Sequence, residues 1–502
     1  MKRSAICLMC GLYAVTLSAA HNVSVTHQES YPGTDWGAYY RVSNNLVSVA
    51  LFPEIGGRAM EFKLGDQEFL RTNKDAQKAA GGEHDFFEGG GFMTWPVPQD
   101  DWGAVWGGWP PPPALNHGSY TSAPLHQSAD SVALFFSSPR EQITSAAGLV
   151  FRKHYTLYKN ASRMRIEHRM INESGVNQNW SVRKVVQHPY HRGVDNCFLY
   201  FPKGVSDMDG EQGYWHTEDE GLSTDFTEVA PGIMRVDVQT ASGRYGAHPA
   251  QQWIAWVDKT TGKAFIQKAD YDPAGVYPEY GGTVIILFIA DTFLEAEPCS
   301  PEKNMAPGDS SVFVSTWYAT TLNENPPLAV NNAGVLLSPL NHANGTLSGS
   351  YGVFAAGTAR VMFAGSGEPA AQLPVSPHEV FSLNQQVAVP AGSGQVAVVL
   401  YDADGVLVDT LDTHQLADVP VAHARAPVQP LHRPRVVNGA LECMLPAGGA
   451  VWVATLEGRI VMRADGLPGG LHRIALGGLA SGTYTAVLTH QGRSTPFMFS
   501  LR

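Results

Sequence analysis

Between Arg163 and Met170 the chain reads RMRIEHRM. Met164, Ile166, His168 and Met170 fall on alternate positions, with Arg163, Arg165, Glu167 and Arg169 between them. Successive side chains of a strand point to opposite faces, so this segment predicts a strand with one buried and one charged face, a pattern that a 3.6-residue period cannot produce. Thr283–Ala290, TVIILFIA, is a continuous apolar run of strand length and predicts a strand covered on both faces. Helical spacing is weak and confined to Lys74–Ala80. Charged residues make up 16% of the chain, against about 25% in a typical globular protein. With 51 Gly and 33 Pro, the balance suits strands joined by many turns. The fold class expected is all-β.

Lys2 and Arg3 precede an apolar run from Ala5 to Leu17 and the small residues Ser18-Ala19-Ala20. This is the pattern of a cleaved signal peptide over residues 1–20, and the run is too short to span a bilayer. A secreted, periplasmic or cell-surface protein without a membrane span is expected. The formal net charge is -12 and no basic cluster occurs, which argues against nucleic acid or an anionic membrane surface as partner. Three of the five cysteines, Cys197, Cys299 and Cys443, lie beyond the leader. An oxidising compartment permits one disulfide, with Cys197–Cys299 the favoured pair. Their spacing is not of zinc type, and no cofactor is expected.

Asn325-Pro326-Pro327 marks a boundary, because proline cannot extend a ladder. Beyond it, Gln395–Leu411 reads as a hairpin turning at Asp402-Ala403-Asp404-Gly405. A second proline-spaced stretch, 426–434, precedes further hairpin strands. The expected organisation is a large domain at 25–322 and two small β-sandwich modules at 328–420 and 430–502. Gly458-Arg459 and Leu479-Ala480-Ser481-Gly482-Thr483-Tyr484 are similar to turns and strands of C-terminal sorting or adhesion modules in secreted bacterial proteins. Such modules would offer attachment to a cell surface, and a plain structural sandwich reads equally well.

Asp291–Ala319 places Glu295 and Glu297 at period-two spacing, then a proline-rich turn, then Pro307-Gly308-Asp309 and an alternating strand. This resembles the end of a galactose mutarotase-like (aldose 1-epimerase-like) domain, in which a strand bearing a catalytic Glu precedes a Pro-Gly-acid corner. Leu46–Leu70, with Gly56-Gly57-Arg58 at its turn, resembles that family's opening hairpin. Arg58 is either a substrate-facing guanidinium or a partner to a carboxylate across the hairpin. Phe87–Leu115 holds Trp95, Trp102, Trp106 and Trp109, and reads either as a sugar-stacking platform or as a plug for one end of the sheets. His188-Pro189-Tyr190 resembles the family's His-x-Tyr segment, and Tyr277-Pro278-Glu279 its Tyr-Pro-acid loop.

The resemblance implies a β-supersandwich and interconversion of aldose anomers, with Glu295 as base at O1 and His188 as acid at the ring oxygen. Arg58, Trp95, Trp102, Tyr190, His191, Glu279 and Glu297 would bind substrate, a mono- or polysaccharide. The chain departs from the family in carrying Glu297 where a Gln is usual and in lacking a second histidine at Gly90–Pro98. A non-catalytic glycan-binding or surface-display protein is therefore the alternative. A polysaccharide lyase or glycoside hydrolase relative is another, with Arg192 beside Tyr190 and His191 as a site for a uronate.

Overall fold

A computed structural model describes residues 23–79, 85–102, 109–216, 225–416, 434–445, 448–455, 459–490 and 493–501 of the 502. The signal peptide expected over residues 1–20 lies outside the described residues, as does Trp106. The fold is all-β, and the only α-helix among the described residues is the single turn Pro113–Asn116. No helix there is long and apolar enough to cross a membrane. The weak helical spacing after Lys74 forms no helix over residues 74–79.

Two units divide the chain at residues 419 and 420. In the first, a ten-stranded and a seven-stranded antiparallel sheet contribute side chains to one hydrophobic core. Arg163–Asn172 runs near the middle of the larger sheet, paired with Leu149–Tyr158 and Ser310–Thr321. Its Met164, Ile166, His168 and Met170 are buried and its arginines are not, as the alternation dictates. The smaller sheet runs in the order Trp215–His216, Gly243–Ala247, Ile285–Ile289, Phe293–Pro298, Gln178–Pro189 and Lys303–Met305, with Phe92–Val97 also paired to Gln178–Pro189. Ile285–Ile289 is covered on both faces, apart from the half-buried Phe288.

A five-stranded sheet formed from residues 24–68 adds to the same core. Its hairpin Val47–Phe52 and Arg58–Leu64 turns through Gly56 at φ +88° and Gly57 at φ +56°. A Cβ at Gly56 would stand 2.0 Å from the Asn116 carbonyl oxygen, so the close approach of these two segments requires glycine there. From Ala329 to Gln415 two four-stranded sheets enclose a core of their own. Val330, Val335, Leu337 and Phe354 also join Trp253, Ile266 and Tyr318 of the ten-stranded sheet in a shared cluster. The hairpin predicted at Gln395–Leu411 forms, with Gly405 at φ +78°.

The second unit holds a three-stranded and a four-stranded sheet around Leu441, Cys443, Val451, Val453 and Tyr484. The expected Cys197–Cys299 disulfide is absent: Cys197, Cys299 and Cys443 are buried free thiols. Cys197 opens a strand of the ten-stranded sheet, whereas Cys299 follows a strand of the seven-stranded one. The two positions belong to different layers.

Candidate functional site: an aromatic-walled cavity around Glu295

Strand register assembles a polar row across the seven-stranded sheet. Arg244 lies opposite Phe288, Phe288 opposite Glu295, and Glu295 opposite Gln187. Directly opposed residues share a face, so four strands deliver these side chains to one side. There they border a cavity of about 280 Å³, together with Arg71, Phe86, Glu88, Trp95, Trp109 and Phe293.

Polar contacts order the floor. Arg71 Nη1 donates to Gln187 Oε1 at 2.8 Å, and Gln187 Nε2 donates to Glu295 Oε1 at 2.8 Å. The second Glu295 oxygen has no hydrogen-bond partner among the described residues. Glu295 is 7% exposed. Burial, followed by the nearby Glu297 carboxyl, pushes its pKa up to about 8. Arg71 reaches this position because its backbone is clipped to the same strand: Arg71 N donates to Gln187 O at 2.8 Å and Gly91 N to Arg71 O at 2.9 Å. Gly90, at φ +85°, makes that clip possible, since a Cβ would meet the Arg71 carbonyl oxygen at 2.4 Å.

Aromatic rings form the walls. Trp95 meets Trp109 edge-on at 5.9 Å, Phe86 tilts against Trp109 at 4.8 Å, and Phe288 and Phe293 lie 6.2 Å apart. The Trp95 indole N–H donates to Asn116 Oδ1 at 2.9 Å, which also accepts from Arg58 Nη2 at 3.0 Å.

The predicted site residues separate into three groups. Glu295 and Trp95 line the cavity. Arg58 is fully buried and does not face it: its guanidinium donates to the Gly90 carbonyl at 3.0 Å and to Asn116, so it supports the wall from behind. Trp102 is likewise buried, edge-on to Trp95 at 5.6 Å. Glu297 and Glu279 instead bracket the fully buried Arg183, at 3.1 Å from Nε and 3.6 Å from Nη1. Burial opposes the Arg183 charge, but the two carboxylates outweigh it and raise its pKa. Burial raises the pKa of Glu279.

His188 and its neighbours stand elsewhere. His188 is opposite Leu294 and therefore on the other face of the strand from Gln187 and Glu295. It stacks on Trp256 at 5.4 Å, its Nδ1 lies 2.7 Å from the Phe69 carbonyl oxygen, and burial pulls its pKa down to about 4. The expected convergence of His188 and Glu295 therefore does not occur. Tyr190 is buried in the main core. His191 and Arg192 are exposed in the following turn, where Arg192 pairs with Asp291 at 2.9 Å.

Sequence reading missed Arg71, Gln187, Arg244, Phe288 and Phe293. Gln187 carried a signal: it occupies the alternate face of the strand that holds His188. Among the described residues, no group of three or more His, Cys, Asp or Glu is placed to hold a metal.

No family model matches the chain, and no curated protein does. Solved structures do align with it. One is a galactose mutarotase-like protein from Clostridium acetobutylicum, 12% identical, covering 60% of this chain and 99% of that one at a TM-score of 0.36. Another is a galactose mutarotase related enzyme from Lactobacillus acidophilus, 11% identical, covering 58% and 100% at 0.35. The chain is similar to galactose mutarotase-like proteins. A TPR-domain containing protein from Parabacteroides distasonis also aligns, 11% identical, over 60% of this chain and 56% of that one at 0.41. These are likenesses of backbone course, and no residue role passes from them to this chain.

Proposed function

We propose that the first unit binds a carbohydrate ring in the cavity at Glu295. The observation that carries this reading is the union of aromatic walls with convergent polar groups in one small concavity. Aromatic faces pack against the C–H faces of a sugar, while Gln187, Glu295 and the two arginines offer hydrogen bonds to its hydroxyls. The volume, about 280 Å³, lies just under the roughly 300 Å³ at which drug-sized pockets begin. That size suits one ring or the terminal residue of a chain.

A second reading, anomer exchange, is favoured by a single observation. The raised pKa of Glu295 leaves it part protonated near neutrality, where one carboxyl can both give and take a proton. A Glu295–His188 pair does not support that chemistry, because the imidazole is sealed on the opposite face.

Saturation-transfer NMR with a panel of aldoses, beside Trp95→Ala and Glu295→Gln, tests the reading. Binding is expected in the wild type and at least about tenfold weaker in Trp95→Ala, a loss of about 1.4 kcal/mol. Exchange spectroscopy in the same tubes separates the two readings. Anomer exchange above the solvent rate that disappears in Glu295→Gln means catalysis, and binding without exchange means recognition alone. No binding by any sugar would end both.

A further inference from the structure

Gln187 stands between Arg71 and Glu295 with a side chain whose two ends differ in chemistry but not in shape. An amide turned about its terminal bond exchanges a carbonyl acceptor for a pair of N–H donors and fills the same volume. Gln187 is 4% exposed, so its orientation is set by its neighbours.

Glu295 alone does not settle that orientation. An ionised carboxylate only accepts and needs the N–H end, whereas a protonated one also donates and takes the carbonyl end equally well. Arg71 has no such choice. A guanidinium carries donors and no acceptor, so the amide atom it meets must be the oxygen. Arg71 Nη1 donates to Gln187 Oε1, which turns Nε2 toward Glu295 Oε1, each contact at 2.8 Å. The reverse orientation would set N–H against N–H.

The surroundings hold these contacts in place. Gln187 N donates to the Gly91 carbonyl oxygen at 3.0 Å, beside the clip made by Arg71 N. The Arg71 guanidinium rests over the Phe293 ring at 4.7 Å. A Cβ at Gly90 would stand 3.3 Å from Gln187 Oε1, so glycine leaves room for the accepting oxygen as well as for the Arg71 carbonyl.

The consequence falls on Glu295. Its Oε1 receives the amide N–H and becomes the carbonyl-like oxygen of the neutral acid, which sends the proton to Oε2. Oε2 is the oxygen without a hydrogen-bond partner among the described residues, on a side chain that borders the cavity. A turned amide would draw the proton onto Oε1 and hold it away from a ligand. The fixed amide therefore places the proton on the cavity side and also eases its release. The charges of Glu297, Arg183, Arg244, Arg58 and Arg71 act on Glu295 as well, and Glu88 borders the same cavity. Of these groups, Arg71 alone bonds to the amide oxygen.

We infer that Arg71 is a positioning residue: by fixing the polarity of the Gln187 amide it keeps the exchangeable proton of Glu295 on Oε2, where the carboxyl offers it to an acceptor oxygen of the ligand. The use of that proton rests on the carbohydrate reading above, in which sugar oxygens are the acceptors. The relay itself stands on protein contacts alone.

A double-mutant NMR titration of the full chain, run without ligand, tests it. Glutamate carboxyl carbons and glutamine side-chain nitrogens are isotope-labelled; Glu295→Gln assigns the Glu295 signal and Gln187→Met the amide. In the wild type one Gln187 N–H proton is expected to move downfield with the Glu295 midpoint, as its acceptor becomes charged. Arg71→Met is expected to raise that midpoint. The rise with Gln187 present is expected to exceed the rise in the Gln187→Met background by about one pH unit or more, a tenfold change in proton affinity. A rise of the same size in both backgrounds would mean that Arg71 acts through its charge alone and would overturn the inference. So would a wild-type amide signal that ignores the Glu295 midpoint, a result that no folding defect in a variant can mask. Because no sugar is present, failure of the sugar panel would count against the carbohydrate reading and leave the relay standing.

Discussion

The strand Gln178–Pro189 carries similar residues on its two faces and treats them in opposite ways. Arg183 and Gln187 lie on the cavity side, Lys184 and His188 on the side of the core. Arg183 keeps its charge in the interior because Glu297 and Glu279 stand beside it. Among the described residues, no carboxylate pairs with Lys184. Its Nζ donates to the Ile166 and Phe313 carbonyls, each at 3.1 Å, and to Ser315 Oγ at 2.8 Å, while burial pushes its pKa well down. His188 is kept neutral by the same cause. One face solves burial with counter-charge, the other by disfavouring the charged form. Which solution a polar residue finds depends on residues from distant segments, and its own type does not announce it.

Three comparisons sharpen the contrast. Arg183→Met should have the largest effect, because it strands Glu297 and Glu279 in the interior. Removing one partner of a buried pair costs about 3–5 kcal/mol, and urea unfolding will read the loss. His188→Ala should follow, at about 2–4 kcal/mol for a cavity in a packed core. Sugar affinity measured on the folded variant should stay within twofold, since the imidazole lies across the sheet from the cavity. A loss of binding as large as that of Trp95→Ala would instead place His188 in the site.

The third comparison turns on the sign of a pH slope. Glu295 has a folded pKa raised from 4.5 to about 8, so its contribution is fully present below pH 4.5 and is lost as pH rises to about 8. Lys184 has a folded pKa depressed from 10.5, so its contribution is present above pH 10.5 and is lost as pH falls toward the folded value. Relative to wild type, Glu295→Gln should therefore gain stability from pH 5 to pH 8, and Lys184→Met should lose it as pH rises from the depressed folded value toward 10.5. Each slope is bounded by about 1.4 kcal/mol per pH unit. Denaturant midpoints at four pH values suffice, and slopes of the same sign would dissolve the contrast.

The alternation at Arg163–Met170 and the apolar run at Thr283–Ala290 are local properties of the chain. Both survive into the fold because the period of a strand is fixed by backbone geometry. The shared face of Glu295 and Glu297 was legible for the same reason, although Glu297 turned inward to Arg183. The partner of Glu295 was not legible. Gln187 and His188 are adjacent, and a one-residue difference in register exchanges the faces they occupy. Histidine is the residue that chemistry leads one to choose, but strand pairing brings Gln187 to Glu295. Arg71 and Arg244 come from a loop and an unremarked strand, joined to the site only by pairings with segments distant in sequence, Arg71 with Gln187 and Arg244 with Phe288.

Asn116 Oδ1 serves two donors at once, the Arg58 guanidinium and the Trp95 indole. Ligand preference and folding competence are thereby tied to the same amide. Any attempt to reshape the tryptophan wall for a different guest must supply a new acceptor for the arginine behind it, so drift at position 95 is coupled to residues that never meet the guest.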